Sequence, residues 1–155
     1  MQVKCRTLFN GEKIVEAETL IQRPSVYGIV IHDGKLLVVR AHYTQRYVLP
    51  GGGIEKGEPI HDALIREIRE EAGIPVSVAE FLHFETDFFY YDPADLAIHG
   101  FLFFYRCEPL STQVGDVHYE PDEGLDEPLW VDITSLSAGA FQGHGDLIMR
   151  LVHRD

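Results

Sequence analysis

Cysteine is scarce in this 155-residue chain, and several protein classes are excluded by what is missing. The two cysteines, Cys5 and Cys107, have no CxxC spacing and no neighbouring histidine pair, which argues against a zinc site and against a disulfide framework. The N-terminal segment lacks the apolar core of a signal peptide, and nowhere do about 18 apolar residues run together. We therefore expect a cytoplasmic protein that neither spans nor binds a membrane.

Positive charge is the second scarcity. The chain has 13 Lys and Arg against 25 Asp and Glu, which gives a net charge of −12. Binding of a polymeric nucleic acid depends on basic side chains that neutralise its phosphates, so no such partner is predicted. The same charge would repel a free nucleotide. A phosphate-bearing substrate would therefore need a local cluster of positive charge or a bound divalent cation.

The order of predicted elements is that of an α+β protein forming a single domain over residues 1–155. Runs of β-branched and aromatic residues, separated by turn pairs, predict strands at 3–9, 13–20, 25–32, 35–40, 47–49, 76–91, 98–107 and 129–131. Helical spacing predicts a central helix over 59–72 and a terminal helix over 146–153. The polar, acidic stretch from 109 to 128 is predicted to be a loop over a site or a mobile flap.

The central helix carries carboxylates where its own period predicts core residues. Each residue advances about 100° around a helix, so Ile60 and Leu64 mark an inward stripe that Glu67 and Glu71 continue. Glu70 lies about one step to the side. Glutamates crowded near a helix C-terminus oppose the helix dipole and repel one another. Solvated glutamates at a frayed helix end are one interpretation, but Mg²⁺, which prefers oxygen ligands, resolves the conflict better.

The segment from residue 52 to residue 74 resembles the signature of a known family at every position. It reads Gly52, five residues, Glu58, seven residues, Arg66-Glu67-Ile68, one residue, Glu70-Glu71, one residue, and Gly73-Ile74. This is the pattern of the Nudix box, and the resemblance to Nudix hydrolases extends from about Tyr27 to Leu136. It implies the Nudix fold, a mixed β-sheet sandwiched between helices, with the box as a loop–helix–loop. It also implies a small-molecule substrate in which a nucleoside diphosphate is linked to another group.

The resemblance implies roles for individual residues of the box. The family's ligands for Mg²⁺, with Mn²⁺ as a substitute, match the carbonyl of Gly51 and the side chains of Glu67, Glu70 and Glu71. Arg66 matches the arginine that orients the adjacent glutamate by hydrogen bonding. Glu58 matches a glutamate that supports the helix. The metal would neutralise the diphosphate and lower the pKa of a bound water, which meets the requirement set by the negative charge of the chain.

A carboxylate must then accept the proton of that water, and two assignments stay open. In some members of the family the base lies in the box, where it would be Glu67. In others it lies on a loop ahead of the Trp-bearing strand, where we favour Glu123 and place Glu120 next. Glu123 is preferred because three clustered glutamates already suffice to bind the metal.

Other candidate contacts with the substrate have equally simple alternatives. Four basic residues near the box in sequence are candidates for binding phosphates, with solvated surface charge as the even alternative: Arg23, Arg40, Arg46 and Lys56. The aromatic run over residues 84–91 could supply a ring that stacks on a base, although packing within the strand explains it better.

We therefore expect a pyrophosphohydrolase that releases a nucleoside monophosphate from a nucleoside triphosphate, a sugar nucleotide or a dinucleotide. A nucleotide sensor that binds without cleaving is the alternative, and the complete set of glutamates argues against it. A third hypothesis is an isomerase of similar fold acting on an isoprenoid diphosphate, whose additional catalytic residues are not found in this sequence. A homodimer is compatible with the sequence.

Overall fold

The computed structural model describes residues 1–120 and 123–154. Within these ranges the chain forms nine strands and two α-helices. In chain order they are β1 (Gln2–Arg6), β2 (Glu12–Glu16), β3 (Ile21–His32), β4 (Lys35–Ala41), β5 (Tyr47–Val48), β6 (Gly51–Gly53), α1 (Ile60–Ala72), β7 (Val76–Tyr91), β8 (Leu96–Pro109), β9 (Leu125–Asp132) and α2 (Gly145–Val152). In the part of the chain that the structure describes, no helix is long and apolar enough to cross a bilayer.

The strands form one mixed sheet. Its order is β2-β1-β7-β8-β3-β4-β5, with β6 paired to β3 and β9 paired to β4. β3 runs parallel to β8 and β1 runs parallel to β7, whereas β7 and β8 form a long antiparallel hairpin. Because side chains alternate between the two faces of a strand, the strongly apolar β3 and β4 bury residues on both faces. The sheet therefore needs a cover on each side.

The two helices supply these covers. α1 buries Leu64 and Ile68 in a cluster with Val26 and Val30 of β3. The intervening residue Ile29 belongs to a second cluster, which contains the apolar side of α2. Alternate residues of β3 thus contact different helices, and the predicted sheet between helices is confirmed.

The ends of α1 follow directly from the sequence. Pro59 stands at the N-cap with an extended backbone, which suits a residue that has no amide hydrogen to donate. Gly73 closes the helix in the left-handed conformation with φ of 69°, and its N–H donates to the carbonyl of Arg69. The helix predicted over 59–72 is therefore found at Ile60–Ala72.

Some strand boundaries differ from the prediction. β6 was not predicted, because a run of three glycines has no strand signal of its own and pairs only through the neighbouring β3. The loop predicted over 109–128 ends earlier, since β9 begins at Leu125 and pairs with β4 through Glu127 and Pro128, two residue types that are rare in strands. The first hairpin has shorter strands than predicted, and Asn10 in its turn takes a positive φ of 63°.

Candidate active site

The glycines of β6 let the loop of the box lie directly against α1. Gly51 has φ of 149°, and a Cβ on it would stand 2.1 Å from the carbonyl oxygen of Val26. A Cβ on Gly52 would stand 2.9 Å from the carboxyl carbon of Glu67. The N–H of Gly51 donates to Oε1 of Glu71 at 2.9 Å. Side chains at these positions would separate the loop from the glutamates, so the glycines set the geometry of the site.

Arg66 is the hub of the hydrogen bonds within the box. Its guanidinium donates to both carboxyl oxygens of Glu58, at 2.7 and 2.9 Å, and to the carbonyl of Gly53 at 3.1 Å. It also donates to Glu67 at 3.0 Å and to Glu70 at 3.3 Å. The hydrogen bonds that Glu58 accepts from Arg66, and then the one from the N–H of Glu55, lower the pKa of Glu58 to about 2. The loop, the helix and two of the predicted metal ligands are thus joined by one side chain.

Two glutamates of the box are held in an environment that disfavours their negative charge. Burial raises the pKa of Glu71 well above its usual value, and the nearby carboxylates of Glu67, Glu123 and Glu70 add to the effect. The hydrogen bond from Gly51 opposes the rise only in part. Burial also raises the pKa of Glu67, against the opposing charge of Arg66. Such carboxyl groups favour either a proton or a cation beside them.

The donor set fits a hard divalent cation, although the side chains do not converge on one point as they stand. Within residues 1–120 and 123–154, no three Asp, Glu, His or Cys side chains are close enough together to hold a metal ion. Arg66 takes one oxygen each of Glu67 and Glu70. The buried carboxylates of Glu71 and Glu67 nonetheless have too little positive charge near them to balance their own. Carboxylate oxygens are the ligands that Mg²⁺ prefers.

A cavity of about 950 Å³ lies in front of the glutamates. Its lining includes most of the residues predicted for the site, among them Arg23, Gly51, Gly52, Arg66, Glu67, Glu70, Glu71, Glu120 and Glu123. The two assignments for the general base therefore face the same space. Glu120 and Glu123 are also hydrogen-bonded to each other, since the N–H of Glu120 donates to Oε1 of Glu123 at 3.2 Å.

The acidic loop is attached to the end of α1 by contacts that the sequence did not indicate. The hydroxyl of Tyr119 donates to the backbone carbonyl of Glu71. The N–H of Gly115 donates to the carbonyl of Ala72 at 2.9 Å. The backbones of Gly115 and Gly73 touch, because a Cβ on Gly73 would stand 2.6 Å from Cα of Gly115. These contacts hold the loop that carries Glu120 and Glu123 beside the glutamates.

The predicted phosphate-binding arginines separate in the structure. Arg23 lines the cavity, lies next to Gly53, and is close enough to favour the charged form of Glu67. Arg40 instead donates to Glu127 at 3.3 Å and covers the ring of Tyr47. Arg46 is exposed in the turn between β4 and β5. Of these three arginines, Arg23 is the one that the fold brings to the glutamates.

The aromatic run is divided in the same way. Phe89 and Tyr91 line the cavity, whereas Tyr90 is buried with Cys5 and Ala97. Phe84 and Phe88 are exposed. Strand alternation thus places part of the run in the core and part in the cavity.

A second polar cluster lines the cavity away from the glutamates, and sequence reasoning missed it. Oδ2 of Asp87 accepts a hydrogen bond from Arg6 at 3.2 Å and contacts Nε2 of His144 at 2.7 Å. Arg6 lies 4.5 Å from the ring centre of Phe89. Burial would raise the pKa of Asp87, but His144 and Arg6 outweigh it and lower the pKa below the usual value. The residues come from β1, β7 and the start of α2, so no local pattern could have indicated the cluster.

Comparisons with known proteins agree with this architecture. The sequence profile of the NUDIX domain matches residues 22–151. A Caenorhabditis elegans protein called putative nudix hydrolase 1 is 29% identical over 107 residues, which are 69% of this chain and 26% of the relative. An RNA pyrophosphohydrolase of Cereibacter sphaeroides is 35% identical over 85 residues, 52% of each chain. The chain thus spans between a quarter and about half of these relatives.

The fold has counterparts among solved structures. A MutT NUDIX hydrolase from Burkholderia pseudomallei superposes with a TM-score of 0.68 over 85% of this chain and 98% of that chain. Its sequence is 22% identical, so this likeness supports the fold alone.

Proposed function

Because residues 22–151 form a NUDIX domain, this chain belongs to the Nudix family, and we propose that it hydrolyses a phosphoanhydride bond in a nucleoside diphosphate linked to another group. One observation carries the proposal. Glu67, Glu70 and Glu71 line a cavity together with Arg23 and Glu123, so the proposed metal ligands, the proposed phosphate-binding arginine and the proposed base share one space.

The residues that would hold a divalent cation are Gly51, through its carbonyl, and Glu67, Glu70 and Glu71. When bound, Mg²⁺ or Mn²⁺ supplies positive charge for the diphosphate and makes a water molecule more acidic. The protein contributes the positions of its own groups. Arg66 orients Glu67, and the N–H of Gly51 fixes Glu71. Glu70 is exposed, so its carboxylate can leave Arg66 to complete the ligand set.

The protein groups then act on substrate and water. Arg23 binds a phosphate oxygen and holds the diphosphate against the glutamates. Glu123 accepts a proton from the water, whose oxygen forms a bond to one phosphorus while the bridging P–O bond breaks. The products are a nucleoside monophosphate and the phosphorylated remainder of the substrate. Glu67 is the alternative base, because its pKa is raised and it faces the same cavity.

The substrate class is a small nucleotide, namely a nucleoside triphosphate, a sugar nucleotide or a dinucleotide. One relative is named for action on RNA, but the charge of −12 here disfavours a long nucleic acid. A panel of these three classes, with chromatographic detection of the nucleoside monophosphate product, tests the proposal. We expect turnover that stops in excess chelator and returns with Mg²⁺ or Mn²⁺. Undiminished hydrolysis in chelator would contradict the metal mechanism, and binding without turnover would indicate a sensor.

A further inference from the structure

We propose that the end of the cavity away from the glutamates is a nucleobase-binding subsite formed by Arg6, Asp87 and Gly100. The inference rests on the proposed function, since it names the part of the substrate that lies beyond the diphosphate. Arg6 belongs to β1, which lies outside the region matched by the NUDIX profile.

Strand register places these residues along one face of the sheet. Arg23 of β3 is opposite Gly100 of β8, and Gly100 is opposite Asp87 of β7. Phe89, two residues further along β7, is opposite Arg6 of β1. Neighbouring strands are about 4.8 Å apart, so Asp87 lies roughly 10 Å across the sheet from Arg23. A substrate whose diphosphate contacts Arg23 would extend across Gly100 towards Asp87 and Arg6.

Gly100 leaves a flat floor between the two ends. A Cβ at this position would stand 2.8 Å from Oδ1 of Asp87 and 3.2 Å from Leu102. Oδ1 of Asp87 therefore lies over the glycine, on the side of the cavity. The flanking residues Ile98, Leu102 and Phe89 are apolar and also line the cavity. A planar ring fits such a floor, because it can make contact with apolar surface while its edge meets the polar group.

The polar groups offer an acceptor beside a donor. Oδ2 of Asp87 is occupied by Arg6 and His144, whereas Oδ1 is directed over the floor. Arg6 uses Nη2 for this bond, and its Cζ lies 4.5 Å from the centre of the Phe89 ring. Carboxylate acceptors and guanidinium donors are the groups that match the donors and acceptors along the edges of nucleobases.

The charge of the cluster favours an uncharged ligand. Glu85 lies 3.2 Å from Nδ1 of His144, so two carboxylates accompany Arg6 and His144 at this end. A second phosphate group here would meet the carboxylate of Asp87, which lines the cavity. The heterocyclic end of a nucleotide has no charge to repel, and it therefore suits this subsite better than a phosphate does.

Steady-state kinetics on substrates with and without a nucleobase test the assignment. Arg6→Ala and Asp87→Asn should raise KM for the preferred nucleoside triphosphate about tenfold to a hundredfold, because each variant loses a hydrogen bond to a charged group. Gly100→Ala should do the same by displacing Oδ1 of Asp87, which its Cβ would meet at 2.8 Å. None of the three should change kcat/KM for ribose 5-triphosphate, which lacks a base, by more than about twofold. Lys4→Ala is the matched control, since Lys4 is on the same strand, is exposed and pairs with Glu12.

Two results would overturn the proposal. One is an unchanged KM for the nucleotide in Arg6→Ala and Gly100→Ala. The other is an equal loss for ribose 5-triphosphate, which would assign the cluster to the sugar or to the packing of the sheet. Circular dichroism and the melting temperature identify a variant that fails to fold. If Arg6→Ala does so, Arg6→Lys, which keeps the charge and loses the planar fork, takes its place.

A binding measurement separates this inference from the proposed function. Calorimetry with a nucleoside monophosphate and no metal should show binding to the wild type that Gly100→Ala weakens at least about tenfold. Binding that depends on Gly100 without any hydrolysis would support the subsite and reject the enzyme. Hydrolysis that is insensitive to Arg6, Asp87 and Gly100 would support the enzyme and reject the subsite.

Discussion

Replacing Glu71 with Gln separates its proposed role as a metal ligand from a role in packing. Gln keeps an oxygen that can accept the hydrogen bond from Gly51, and it removes only the charge. Loss of one electrostatic group in such a site typically lowers kcat by a factor of about 10²–10³. We therefore expect kcat of Glu71→Gln to fall by a factor of about a hundred or more at saturating Mg²⁺. Rapid-quench or coupled phosphate assays measure this loss directly.

The same variant should be more stable than the wild type when no metal is present. Burial raises the pKa of Glu71 above its usual value of 4.5. The folded protein therefore loses stability as pH rises from about 4.5 through the raised pKa, and the loss is complete above it. Each pKa unit corresponds to about 1.4 kcal/mol, and 1 kcal/mol shifts the melting temperature of a domain of this size by roughly 2–4 °C.

The melting temperature should accordingly be measured from pH 4 to pH 8 in chelator. We expect Glu71→Gln and the wild type to melt together near pH 4, and the variant to melt higher at pH 8. Asp62→Asn is the control, because Asp62 is exposed in the first turn of the same helix and should change neither kcat nor this pH dependence. Unfolding of Glu71→Gln in chelator, or turnover near that of the wild type, would refute the reasoning.

The remaining predictions concern the base, the hub and the glycine loop. If Glu123 is the base, Glu123→Gln should lower kcat steeply at unchanged Mg²⁺ affinity, whereas Glu67→Gln should lower both kcat and Mg²⁺ affinity. If Glu67 is the base, Glu123→Gln should be mild and Glu67→Gln should lower kcat with the metal still bound. Metal titration combined with single-turnover rates distinguishes the two patterns. Arg66→Lys keeps one charge but loses the fork, and it should lower kcat about tenfold or more and reduce the melting temperature. Gly52→Ala should displace the Glu67 carboxylate and lower kcat, while circular dichroism shows that the fold is intact. Gly139→Ala is the control and should behave as wild type, because a Cβ at Gly139 meets open space.

The box could be predicted because its contacts are local. Arg66 and Glu58 are only eight residues apart, and helical periodicity already places Glu67 and Glu71 on one side of α1. Runs of β-branched residues and the ends of α1 indicated an α+β protein, whereas the mixed sheet between helices was implied by the resemblance to Nudix hydrolases. Strand edges were predicted less well, because Glu127 and Pro128 join β9 through pairing with β4 rather than through their own propensity.

The far end of the cavity could not be predicted for the opposite reason. Arg6 and Asp87 are 81 residues apart, and His144 is 57 residues from Asp87. Their meeting depends on the parallel pairing of β1 with β7 and on the place where α2 begins. Arg40 and Arg46 illustrate the converse, since closeness to the box in sequence did not bring them to the glutamates.

The attachment of the acidic loop to α1 also has a dynamic consequence. The last carbonyls of a helix have no partner within it, and here Tyr119 and Gly115 donate to those of Glu71 and Ala72. If the loop swings away, the last turn of α1 loses these bonds at the same moment as Glu123 leaves the cavity. Hydrogen exchange of the Gly115 amide, which donates to the carbonyl of Ala72, should therefore report how often the loop opens, and a ligand that holds the loop closed should slow the exchange.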